Sequence, residues 1–522
     1  MRVPKPIVLL AMAAFVLTAC GTRLPDSAFV ESQKSSNSAA NSSTSGADST
    51  TAGEATSGNT GATSVDTGGG AAAATGGTTG GGAASSGGGT TSGVGTSGSG
   101  TTSGGATSGG GGEANTASDV GVTPTSIKIG NITAIQGVFG PDAFGVSLRG
   151  LQVFIQSIND RGGVNGRKLQ LVSCDDRENA AQNLQCAQKL IEQDKVFAMI
   201  AGNSDASARS AKYINDKGIP RVSFPLDSGF YKYPHSYSIY PYSGYPRDGK
   251  TVGVGGTVYQ LTASYRWFKQ QKKIDKAAVF FYTIAVSQAQ GYAVENDLKA
   301  EGVQPAYEGG GSHSGENPAA PSFDTDVVNM RQAGVQGIWD AMDIGANQKL
   351  CESMDRQNFK VIAKVSTIQA WSQQVGSSFH SPCRDSVYAS GYSVPYSDTS
   401  NPAVQQFLAD VDKYNPSLKA KMHQWTLEGY GMGTLFADGI KSLGAKPTRA
   451  GFESWLRNLK GYTHGGLHGP HDWQPPDFKK TAAECTSIVQ WDSSKGTMAT
   501  RAPVTYCAET RFIGYQPVDD HA

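Results

Sequence analysis

The chain has 522 residues, of which 44 are Lys or Arg and 44 are Asp or Glu, so its formal charge is zero. With no basic run in addition, the composition argues against a nucleic-acid partner. Once the low-complexity N-terminal part is set aside, about 400 residues remain, enough for two domains of ordinary size.

In chain order, Arg2 and Lys5 precede an apolar run from Ile7 to Val16. The run is too short to span a bilayer and has the layout of a secretory signal. Leu17-Thr18-Ala19-Cys20 looks like a bacterial lipobox, in which Cys20 is diacylated and becomes the mature N-terminus. Two acyl chains hold a protein firmly on a membrane where one does so only marginally. Residues 1–20 are therefore read as a lipoprotein signal, and the mature protein as anchored on the outer face of the cytoplasmic membrane. Residues 21–118 are almost wholly Gly, Ser, Thr and Ala. Such a segment cannot bury enough apolar surface to offset its chain entropy, so it is expected to act as a disordered tether with a reach of roughly 55 Å.

The folded part is expected to open with a strand at Ile127–Thr133 and a Gly-rich loop holding Gln136 and Phe139. A helix then runs from about Phe144 to Arg161. Gly162-Gly163-Val164-Asn165-Gly166 turns into a second strand, Lys168–Val172, closed by Asp175-Asp176. A helix from about Glu178 to Gln193 leads to a buried run, Val196–Ala201, a polar turn through Ser204, Asp205 and Ser207, a helix over Ala208–Lys217 and a short strand entering Ser223–Asp227. Continuous apolar runs separated by helices mark βαβ units and a parallel sheet, whose ligands collect at the carboxyl ends of the strands. Six cysteines follow Cys20. An even number in an exported chain points to disulfides, and their three clusters favour pairing in sequence order: Cys174 with Cys186, Cys351 with Cys383, and Cys485 with Cys507.

Ile158-Asn159, Gly162 to Leu169, Asp175-Asp176, the Ser-rich helix start and Gly218-Ile219-Pro220 together resemble the leucine/isoleucine/valine-binding protein family, the type I solute receptors of ABC transporters. The resemblance extends over nearly all of residues 122–515. It implies an α/β fold of two Rossmann-like lobes with parallel-sheet cores, joined by a three-crossover hinge. Lobe 1 is expected to hold residues 119–243 and 391–488, and lobe 2 residues 244–390 and 489–522. The crossovers are placed near Tyr240–Tyr245, Ser390–Val394 and Ile488–Trp491. The resemblance further implies a small-molecule ligand, an ABC permease as partner, a monomer and no cofactor.

Family positions carried onto this sequence suggest the ligand contacts. Ser204 matches a serine at a helix start, where unpaired N–H groups suit an anion, and Asp205 and Ser207 flank it. Either Ser204 or Asp205 can instead cap the helix. The next loop departs from the family pattern. Phe224-Pro225-Leu226-Asp227 places an acid where a carboxylate ligand would be repelled, which favours hydroxyl or amino groups on the ligand, unless Asp227 only caps the following turn. Asp343 follows a strand of the second lobe and matches a ligand-contacting position. Trp425, just before a helix expected at Leu427–Leu443, forms either an apolar wall of the site or part of the core. His464, His468 and His471 lie close enough in sequence to suggest zinc. The surrounding Gly and Pro residues argue for a turn instead, and no metal is assigned. No nucleophile elbow, phosphate loop or zinc helix occurs in the folded part, so no enzymatic activity is expected. A sensor that reports ligand occupancy without transport is the alternative reading.

Overall fold

The structure, a computed structural model, describes residues 114–240, 246–311, 315–380 and 383–517. The signal, the lipobox at Cys20 and the tether as far as residue 113 lie outside the described residues, as do Pro241 to Tyr245 of the first expected crossover. Residues 114–118, assigned above to the tether, belong to the folded body. The reason is Arg167, which is fully buried and needs acceptors for its guanidinium. Asn115 Oδ1 at 2.7 Å and the carbonyls of Thr116 at 2.9 Å, Thr123 at 2.8 Å and Ala445 at 2.7 Å supply them. Leaving that cation unsatisfied would cost more than ordering a few residues.

The first sheet is formed by β1 (Ser126–Thr133), β2 (Lys168–Asp175), β3 (Ala198–Ile200), β4 (Arg221–Ser223) and β5 (Ser236–Ser238). All pairs are parallel, in the order β2-β1-β3-β4-β5. Between the strands run α1 (Gly145–Asp160), α2 (Ala180–Gln188) and α3 (Ala208–Asp216). The short strand β4 ends at Ser223, so Phe224–Asp227 is loop rather than strand.

The second sheet begins after β6 (Val258–Gln260) with β7 (Lys276–Phe281), β8 (Gln304–Glu308), β9 (Gly337–Ala341), β10 (Ala363–Val365) and β11 (Val387–Gly391). These are linked by α4 (Ala285–Ala300), α5 (Asp324–Ala333) and α6 (Ile344–Arg356). After α7 (Pro402–Tyr414), α8 (Gln424–Leu443) and α9 (Arg449–Arg457), the chain adds β12 (Thr481–Cys485), β13 (Ser487–Asp492), β14 (Thr497–Ala502), β15 (Cys507–Arg511) and β16 (Ile513–Tyr515). The sheet order is β14-β13-β11-β10-β9-β7-β8, antiparallel only at β13 and β14. Its five parallel strands thus repeat the order of the first sheet. The last strands form two small antiparallel pairs, β12 with β15 and β16 with β6. Disulfides join Cys174–Cys186, Cys351–Cys383 and Cys485–Cys507, the pairing in sequence order expected above.

Although it follows β11 of the second sheet in sequence, α8 lies along α1 of the first. Two glycines permit the approach: a Cβ on Gly150 would meet the Thr426 carbonyl oxygen at 1.9 Å, and one on Gly429 the Ser147 carbonyl oxygen at 2.1 Å. Trp425 is inside this helix, one turn earlier than expected, because His423 caps it through Nδ1 to the Trp425 N–H at 3.3 Å. The third passage between the sheets comes before Ser487, since Ile488–Trp491 lie within β13.

Two of the three passages meet at one carboxyl group, and the third is tied to them through Ser393. Glu428 of α8 is fully buried and accepts from Ser393 Oγ at 2.6 Å and from Tyr240 Oη at 3.2 Å. Gln424, one turn earlier, donates to Ser393 Oγ at 2.9 Å and to the Val394 carbonyl at 2.6 Å. Ser487 Oγ in turn donates to the Ser393 carbonyl at 2.9 Å. Burial pushes Glu428 up to about 8, against the hydrogen bonds from Ser393 and Tyr240, which favour the anion. A folded value raised above the unfolded one contributes stability that is complete below pH 4.5 and is lost as pH rises towards 8. The loss attributable to this group is about 1.4 kcal/mol per pH unit over that window. Glu428→Gln is therefore expected to gain on the wild type steadily from pH 5 to pH 8 in denaturant titrations; parallel curves would show that the carboxyl is ionised throughout.

Candidate functional site

In an open parallel sheet, the loops leaving two neighbouring strands to opposite faces open a crevice at the strands' carboxyl ends. The order β2-β1-β3 puts this point between β1 and β3, and the repeated order of the second sheet puts another between β7 and β9. The two points face each other. Phe139, in the loop after β1, stacks on Tyr282, which follows β7, at 5.9 Å between ring centroids and 24° between planes.

Buried polar side chains shape the first rim. Asn131 Nδ2 donates to the carbonyls of Ile200 at 3.0 Å and Ala201 at 2.8 Å, while Thr133 Oγ1 donates to Asn131 Oδ1 at 2.8 Å. Ala201 is held at φ +55°, and Arg177 and Glu178 after β2 stand at +55° and +58°. Left-handed backbone at non-glycine residues is costly and concentrates at sites where the surroundings impose it. Here carboxylates impose it by gathering in backbone N–H groups. Asp175 Oδ1 accepts from Ile135 at 2.9 Å, Gln136 at 3.3 Å and Arg177 at 3.0 Å. Glu178 accepts from Val138 at 2.7 Å and Phe139 at 3.3 Å. The loop after β1 is thus tied to the end of β2, with the Gln136 side chain exposed and Phe139 half-buried.

At the end of β3, Ser204 is buried and accepts from the Ala206 N–H at 3.1 Å, stabilising the turn before α3. Asp205 is half-buried, and its Oδ1 has no hydrogen-bond partner. Burial and the neighbouring charges of Glu178 and Asp176 push its carboxyl up to about 7. Burial likewise raises Asp176 and Glu178, with Asp343 of the opposite rim adding to the repulsion at Glu178. Asp343 caps α6, accepting from Gly345 N–H at 2.7 Å and Ala346 N–H at 3.4 Å, and also takes the Tyr282 hydroxyl.

Ser207 and Asp227 are engaged away from this group. Ser207 Oγ donates to Asp227 Oδ2 at 2.7 Å, and Arg221 holds both oxygens of the same carboxylate, at 2.8 and 3.0 Å. The Gly229 N–H adds a bond to Oδ1 at 2.9 Å. The ion pair is buried on both sides, and the guanidinium also lies 4.0 Å over the Phe230 ring. The repulsion expected of Asp227 towards an anionic ligand is therefore met inside the fold by Arg221. Pro225 is half-buried. Trp425 forms an aromatic wall with Phe144 at 6.0 Å and Phe224 at 5.2 Å, and its Nε1 donates to Tyr240 Oη at 3.3 Å. A space of about 30 Å³ between Ser204, Ser207, Phe224 and Phe230 suits a water molecule, not an organic solute.

His464, His468 and His471 do come together, with centroids 4.2, 5.4 and 6.1 Å apart. The first two rings stack at 29°. Stacked rings send their in-plane lone pairs along nearly parallel lines, which do not converge on one ion. Among the described residues no group of three His, Cys, Asp or Glu is arranged to hold a metal.

A model of the periplasmic binding protein family matches residues 126–497. The chain belongs to this family. Its members are solute-binding proteins. No curated protein is matched at the level of sequence. The solved structures that this periplasmic binding protein resembles include a fatty acid ABC transporter substrate-binding protein from Thermomonospora curvata, at 16% identity and a TM-score of 0.55, covering 77% of this chain and 95% of that one. Another is an ABC transporter solute-binding protein from R. palustris in complex with benzoate, at 14% identity and 0.56, covering 73% and 97%. A third is a branched-chain amino acid transporter substrate-binding protein from Streptococcus pneumoniae in complex with isoleucine, at 14% and 0.55, covering 74% and 100%. At such identities the likeness establishes the fold, that of a type I periplasmic binding protein with two α/β lobes. No helix among the described residues is long and apolar enough to cross a membrane.

Sequence reasoning missed Tyr282 and Glu178 at this site, and with them Asn203, which is buried in the turn after β3 with neither polar side-chain atom partnered. The signal for Tyr282 was available in the repeated strand order, since the residue after β7 occupies the place that the loop after β1 has in the first sheet. Glu178 gave no local sign, because it acts on backbone forty residues away. Asp227→Ala leaves the buried Arg221 guanidinium without its carboxylate. It is expected to destabilise the empty protein by about 3–5 kcal/mol. Chemical denaturation checks this; a loss below 1 kcal/mol would return Asp227 to the surface of the site.

Proposed function

We propose that this chain is a lipid-anchored extracytoplasmic receptor that captures a small polar organic solute between its lobes and delivers it to an ABC permease. The observation that carries this reading is the meeting of the two switch points, with Phe139 and Tyr282 in contact across the gap. A solute seated there touches the loops of both sheets at once, and only such differential contact lets a ligand favour closure. In this reading lobe 1 comprises residues 114–243 and 391–486, lobe 2 the remainder of the folded chain. The three passages around Glu428 are the hinge. In this reading the receptor is a monomer that needs no cofactor and performs no catalysis; Asp175, Glu178 and Asp343 use carboxylate oxygens to hold backbone N–H groups. Gln136, Phe139, Ser204, Asp205, Asp343 and Trp425 are its candidate ligand contacts.

The structural test is a thermal-shift screen of the purified receptor against amino acids, amines, sugars and aromatic acids. A true ligand at a hundred times its dissociation constant adds about 2.7 kcal/mol of stability; no response to any class removes solute capture. The anchor is tested separately. Cys20→Ser is expected to move the protein from the membrane fraction to the soluble fraction of its host, and unchanged membrane retention would refute lipidation at Cys20.

A further inference from the structure

Of the carboxylates that line the facing rims, Asp205 is the one with a solvent-shielded oxygen that lacks a partner among the described residues. Asp175 and Glu178 are occupied by backbone N–H groups, Asp176 Oδ2 accepts from Asn183 Nδ2 at 2.7 Å, and Asp343 caps α6. Asp205 Oδ1 is shielded from solvent and accepts nothing. None of Asp176, Glu178, Asp205 and Asp343 forms an ion pair among the described residues. Their charges therefore repel one another across the gap as well as along one rim.

Beside Asp205 stands a second group with unmet capacity. Asn203 is 1% exposed, and neither its side-chain oxygen nor its nitrogen has a hydrogen-bond partner. Its backbone is paired to the end of β1, by its N–H to the Ile132 carbonyl at 3.1 Å and its carbonyl to the Ala134 N–H at 2.9 Å. The residue thus sits at the switch point, in the turn that carries Ser204 and Asp205. A buried carboxamide without partners is rare unless a ligand or water completes it. The aromatic faces of Phe139 and Tyr282 lie at the same gap, and a ring face attracts a cation.

Resting on the receptor reading above, we propose that the solute carries a positive charge, as an organic amine or guanidine, and that Asp205 is its anionic contact. The cation would take the open Asp205 oxygen, offer a donor to the Asn203 oxygen and relieve the repulsion between Asp343 and the first rim. Closure then becomes favourable only when the charge is present, which is how a receptor with like-charged rims rejects neutral and anionic solutes. Because burial and neighbouring carboxylates hold Asp205 near 7, the group is only partly ionised in the empty protein at neutral pH, and binding a cation releases the remaining proton.

The test uses the purified mature protein with putrescine, agmatine, spermidine and choline, against leucine, benzoate, glucose and calcium chloride as comparators, read by calorimetry and thermal shift. At least one amine is expected to bind, with affinity falling roughly tenfold per pH unit below about 7. Asp205→Asn is expected to weaken that binding by roughly tenfold to a hundredfold and to flatten its pH dependence, with the melting temperature of the empty protein unchanged or raised. Binding of leucine, benzoate or glucose with no response to amines would overturn the cationic solute and leave the receptor reading standing. A flat response to the whole panel overturns the proposal and weakens the receptor reading with it. Calcium as the sole binder would point to an inorganic site, and amine binding that survives Asp205→Asn would remove Asp205 as the contact.

Discussion

The architecture depends on what Glu428 does in the interior. A two-sheet protein whose chain passes three times between its halves must bring those passages together without leaving their polar groups unsatisfied. Ser393 and Tyr240 donate to one carboxyl, Gln424 holds the neighbouring carbonyl, and Ser487 returns to Ser393. Placed on a long helix that is fastened to α1 by Gly150 and Gly429, Glu428 is fixed relative to the first sheet; two passages are fixed to it and the third to Ser393. A network with every member satisfied is rigid, whereas the same group left charged would be a defect. Burial raises its pKa to about 8, against the two hydrogen bonds, which favour the anion.

With the passages gathered at one place, the sheets can only meet along the edges that face each other. The repeated order of the parallel strands ensures that each edge presents its switch point. Contact between Phe139 and Tyr282 follows from two instances of one topology, not from any local pairing of sequence. The strained backbone at Ala201, Arg177 and Glu178 lies on the same rim. Its stability is maintained by Asn131 and by carboxylates that gather N–H groups, so the rim is pre-shaped before any solute arrives.

The acidic residues beside the strand ends named here serve three distinct ends, and only their surroundings distinguish them. Asp227 is a structural anion, neutralised by Arg221 in the interior. Asp175, Glu178 and Asp343 organise loops and a helix end. Asp205 retains an open oxygen at the rim. Type of residue and position beside a strand end are the same in each case; the partner supplied by the rest of the chain differs.

From the sequence alone came the α/β class, the parallel strands, the order of the disulfides and the turn at Ser204 and Asp205. These rest on local signals: apolar runs of strand length, glycine turns, and cysteines close in sequence. The antiparallel additions at β12 to β16 and the attachment of residues 114–118 to the folded body were not legible, because each depends on a distant partner, such as Arg167 drawing in Asn115 and Thr116. The same reason explains Asp227, which reads as a cleft acid until Arg221 is placed beside it. Trp425 reads as preceding its helix because the cap that starts α8 is a histidine, which lies outside the usual capping residues. Local composition determined which elements form; only the tertiary structure decided which charges are spent inside the fold and which remain for a ligand, because that is settled by residues far apart in the chain.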